Sequence, residues 1–64
     1  MSKPFYKNKL TGNYGVLEGV VPLTLRLVNA VGGMIELSHQ HENVAAENLV
    51  EVSSEEVQKA LLGF

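Results

Sequence analysis

The stretch LTLRLVNAVGGMIEL, residues 23–37, reads as a β-hairpin. Leu23, Leu25 and Leu27 alternate with Thr24 and Arg26, and Ile35 and Leu37 alternate with Glu36 and Ser38. This is the period-2 pattern of strands that bury one face. Asn29–Gly33 is expected to connect the two runs, because the adjacent Gly32 and Gly33 can take φ > 0 without steric cost. On this reading the five apolar side chains of the hairpin turn inward together.

Upstream, Tyr14–Val20 (YGVLEGV) has strand composition, with Gly15 and Gly19 marking a bulge, a bend or a close backbone approach. Pro22 cannot donate to a ladder and separates this strand from the hairpin. Residues 1–13 read as a basic and aromatic arm with a short strand around Phe5 and Tyr6, followed by turn chemistry at Thr11-Gly12-Asn13. Downstream, His39–Asn43 is expected to be a polar loop. Val44–Asn48 is compatible with a short strand or one helical turn leading into Leu49–Val52.

The chain closes on a helix, 54–62. Ser53 and Glu56 have the spacing of a capping box, and Val57, Ala60, Leu61 and Phe64 fall on one face before Gly63 ends the run. A helix this short is marginal in water and must dock on the sheet or on a second copy. The expected class is therefore mostly β: a small SH3-like, partly open barrel of four or five short strands with one C-terminal helix. The alternative is an α+β two-layer sheet and helix completed by dimerisation. The arm, 1–13, and a single β-rich domain, 14–64, are the expected divisions.

With 64 residues, 45% of them apolar and 19% charged, the chain can build a small core with a thin stability margin. It has no cysteine, which removes disulfides and thiolate metal sites. No run of about 18 apolar residues occurs, so a cytoplasmic protein with no membrane partner is expected. The net charge of −2 is unevenly spread: Lys3, Lys7 and Lys9 stand alone in the first 14 residues, while seven glutamates face only Arg26 and Lys59 afterwards.

Three constellations could carry function. His39 and His41 form an H-x-H pair whose imidazoles share a face if extended, with Glu36, Glu42 or Glu47 as a third metal ligand. Two ordinary solvated histidines are the favoured reading, so no metal and no cofactor are expected. The same histidines could serve acid–base chemistry, but a chain this short offers little pocket and no nucleophile with a spaced partner, and no enzyme is expected. Lys3, Phe5, Tyr6, Lys7, Lys9 and Tyr14 combine cations and aromatic faces as a nucleic-acid contact would, against an acidic body that repels a polyanion.

Protein recognition is the third. Val20, Val21, Val28 and Val31 fall off the Leu25 face or in the loop, where they could either meet a partner or line the second wall of a closed barrel. Leu61, Leu62 and Phe64 offer core or a dimer seam. The leading expectation is a non-enzymatic interaction module that binds another protein or itself. Nucleic-acid binding through the arm is second.

Overall fold

The computed structural model describes residues 4–63, so Lys3 of the arm and Phe64 of the helix stripe lie outside the described residues. Five strands, β1 (Phe5–Asn8), β2 (Tyr14–Val20), β3 (Leu23–Val31), β4 (Met34–Asn43) and β5 (Leu49–Val52), precede the helix α1 (Ser54–Leu62). A 3-10 turn, Ala46–Asn48, leads into β5. The strands form one antiparallel sheet in the order β4-β3-β2-β1-β5, which leaves β4 and β5 as edges and does not close into a barrel.

The hairpin forms, but its turn is shorter than the sequence implied. Val31 pairs with Met34, so only Gly32 and Gly33 turn the chain, with φ of 59° and 79°. Two consecutive positive φ values are the demand of a type I′ turn, whose twist matches that of the strands. Asn29–Val31 are consequently strand rather than loop. That change resets the parity of β4, because a one-residue slip exchanges its faces.

Leu37 therefore lies opposite Val28, and Ile35 opposite Ala30, on the face away from Leu25. The expectation that all five side chains turn inward together is corrected. Leu25 is fully buried, whereas Leu37 is 50% exposed. Nor is His39–Asn43 a polar loop. It continues β4 past a bulge, where the register shifts between Arg26 and Val28 and Leu27 faces the extra residues around His39. Val28, which the sequence left between an exposed partner contact and a covered second wall, is only 5% exposed.

Residues 5–8 of the arm are an interior strand. β1 pairs with β2 through Tyr6↔Gly15 and Lys7↔Tyr14, and with β5 from Phe5↔Val52 to Asn8↔Leu49. Gly15 makes the neighbouring β2–β3 pairing possible, since it leaves no Cβ to meet the Arg26 carbonyl.

The sheet curls toward the Leu25 face. Glu42 pairs with Leu25, while Asn8 sits two strands beyond, on β1. In a flat sheet about 14 Å would separate their strands. Instead Asn8 Nδ2 donates to Glu42 Oε2 at 2.9 Å, Thr11 Oγ1 donates to the same oxygen at 2.9 Å, and Asn13 Nδ2 donates to Oε1 at 3.0 Å. The chain between β4 and β5 is tied at both ends: Val44 N–H donates to the Leu23 carbonyl, and the Asn48 carbonyl accepts from Lys9 N–H.

Glu42 is thus the clasp of the curl. Burial pushes its pKa up, and the hydrogen bonds from Asn13, Asn8 and Thr11 outweigh that and bring it below its ordinary value of 4.5. A depressed folded pKa means the contribution is present above the unfolded value and is lost as pH falls from about 4.5 through the folded one. Thermal melts from pH 7 to pH 3 should show the wild type losing its advantage over Glu42→Gln across that window. Identical acid-side profiles would remove Glu42 from its role as clasp.

The helix begins and ends as the sequence predicts. Ser53 Oγ accepts from Glu56 N–H at 3.1 Å, and Gly63, at φ 81°, donates its N–H to the Lys59 carbonyl. The second half of the capping box is replaced: the Glu56 carboxylate accepts from Tyr14 OH at 3.4 Å. Val57 is fully buried, and α1 packs against β3 and β4.

Candidate functional site

Alternation places Phe5, Val16, Arg26, Val28, Ile35 and Leu37 on one face of the sheet, opposite the face of Leu25. Together with Leu17 and Glu18 these residues line a groove of about 380 Å³. Its floor comes from four strands and its lining includes no helix residue. A bulge in β2 between Leu17 and Gly19 leaves Glu18 without a partner on β3 and turns it to the groove.

The rim is polar and hydrogen-bonded. His41 Nε2 contacts the Glu18 carboxylate. Arg26 Nε donates to the Ser38 carbonyl at 2.8 Å, and Ser38 Oγ donates to the Leu27 carbonyl at 2.9 Å while accepting from Gln40 N–H at 3.1 Å. The β4 bulge therefore has a use: it presents the Ser38 carbonyl to the Arg26 side chain. Among the described residues Arg26 has no carboxylate within salt-bridge distance.

The sequence-derived candidates divide between this face and others. Phe5 and Val28 line the groove. Lys7 lies on the same face, with its Nζ 5.5 Å from the centre of the Tyr14 ring, and the Tyr14 hydroxyl is engaged by Glu56. Tyr6, one residue from Lys7, points to the other face, and Lys9 is exposed beyond the end of β1. Val31 is exposed at the hairpin tip beside Met34, and Val20 and Val21 are exposed at the β2–β3 turn. His39 is exposed at the bulge and does not join His41 in a cluster; no group of three metal-ligating side chains occurs among the described residues.

Arg26, Glu18, Ile35 and Leu37 were not singled out as site residues. The signal available was Arg26, the one charged side chain in the nine residues of β3. No family model matches the chain, and no curated protein or solved structure matches it. Among the described residues no helix is long and apolar enough to cross a membrane.

Proposed function

We propose that this chain is a non-enzymatic, cytoplasmic protein-interaction module, built as an SH3-like partly open barrel, that binds a partner protein or a second copy through its groove face. The carrying observation is the juxtaposition of an apolar groove with the unpaired edge of β4. Leu37 belongs to both and is half exposed, and Met34 at the same edge is 66% exposed. A free strand edge beside an apolar hollow provides main-chain hydrogen bonds and side-chain pockets together.

The nucleic-acid reading is weaker on geometry. Lys7 and Tyr14 are engaged with each other, Tyr14 reaches Glu56, and Tyr6 faces away. A photocrosslinking p-benzoylphenylalanine in place of Leu37 should give a discrete, nuclease-resistant adduct in host cells. The same group in place of Gln58, exposed on α1, should not. Adducts of equal yield at both positions, or adducts lost on nuclease treatment, would overturn the reading. Light scattering of the purified chain separates a self-adduct from a foreign partner.

A further inference from the structure

Arg26 is the unusual member of the groove. It is half-buried among Val16, Val28 and Leu37, and its guanidinium is held at Nε by the Ser38 carbonyl. That bond fixes the plane of the fork and leaves the terminal nitrogens without a carboxylate among the described residues. Nearby Glu18 is already engaged by His41. A planar, fixed guanidinium bordered by apolar side chains is suited to a carboxylate, which it can bind through two parallel hydrogen bonds.

The edge of β4 supplies the second constraint. From Met34 to Leu37 the strand is in regular register with β3 on one side and has no strand on the other. The bulge that follows interrupts the edge at Ser38, the residue that holds Arg26. A segment added there is therefore short and ends beside the guanidinium. In an extended segment, side chains two apart share a face, so one can enter the apolar groove while the other reaches Arg26.

Resting on the interaction reading above, we propose that the groove takes an extended peptide of a partner protein, added to the Met34–Leu37 edge, that carries an apolar and an acidic side chain two residues apart. Arg26 sets the preference for the acid. Leu37 and Val28 set the preference for the apolar residue.

Selection from a displayed library of random octapeptides tests this with the full chain as bait. Sequences with an acidic residue two positions from an aliphatic or aromatic one should be enriched. Synthetic peptides from the winners should lose about tenfold in affinity when the acid becomes its amide. Their binding should protect the amides of Met34–Leu37 from hydrogen exchange. Arg26→Gln should erase the acid preference, and Arg26→Lys, which keeps the charge but not the fork, should retain only part of it. Circular dichroism of both variants confirms that the sheet is intact.

No enrichment, enrichment of basic peptides, or an acid preference that survives Arg26→Gln overturns the proposal. Displacement of the peptides by octanoate at equal concentration does so too, since it marks a fatty-acid site. None of these outcomes touches the Leu37 crosslink, so the two readings fail separately.

Discussion

Gly15→Ala should unfold most of the population at physiological temperature. A Cβ at this position would lie 2.3 Å from the Arg26 carbonyl oxygen, 3.0 Å from its carbon and 3.2 Å from the Leu27 Cα. All three are backbone atoms of the strand paired with β2, so no side chain can swing away. Relief requires β2 and β3 to separate where Gly15 pairs with Leu27, next to the fully buried Leu25. Overpacking costs about 1–3 kcal/mol where neighbours can shift, and more where they cannot.

A domain of this size has about 3–10 kcal/mol in total. Gly19→Ala is the internal control. It lies in the same strand, and its nearest contact would be the Pro22 carbonyl oxygen at 3.4 Å, an ordinary van der Waals approach. Urea midpoints should therefore fall steeply for Gly15→Ala and little for Gly19→Ala. Equal midpoints would falsify the β2–β3 register.

The strands were legible because their patterns are local. Tyr14–Val20 and the helix 54–62 match β2 and α1, since strand composition, a serine cap and a terminal glycine act within a few residues. Which face each strand buries was less legible. It turns on whether the hairpin uses two residues or five, and Asn29–Val31 carry little sign of either choice. The polar residues 39–43 misled for a related reason: an edge strand keeps one side in water, so histidine, glutamine and asparagine fit it as well as they fit a loop.

The groove was hidden more deeply. Phe5, Val16, Arg26 and Leu37 come from four separate strands, and only the registers of β1, β2 and β4 against their neighbours bring them to one face. The curl was equally hidden, because the contact of Asn8 with Glu42 joins residues 34 apart in the chain. What the sequence offered was a glutamate in a polar run, with nothing to say that two asparagines and a threonine converge on it.

Leu25→Ala and Leu37→Ala should part sharply, although the alternation in the sequence treats the two leucines alike. Leu25 is fully buried on the face that the curl encloses, where Glu42 and Asn8 meet across it. Truncation there removes transfer free energy and leaves a cavity that a curled, clasped sheet cannot collapse, a loss of about 2–5 kcal/mol. For a domain this small that corresponds to a fall of roughly 10 °C or more in Tm.

Leu37 is half exposed on the opposite face and has water to replace its contacts, so its truncation should stay within about 0.5 kcal/mol. The same substitution should nonetheless weaken partner binding, because Leu37 lines the groove at the free edge. A pair of melting curves in which both leucines cost the same would return Leu37 to the core. With it would go the parity of β4 and the groove itself, since Leu37 reaches that face through a register in which Val31 pairs with Met34 and Val28 with Leu37, the opposite parity to a five-residue loop.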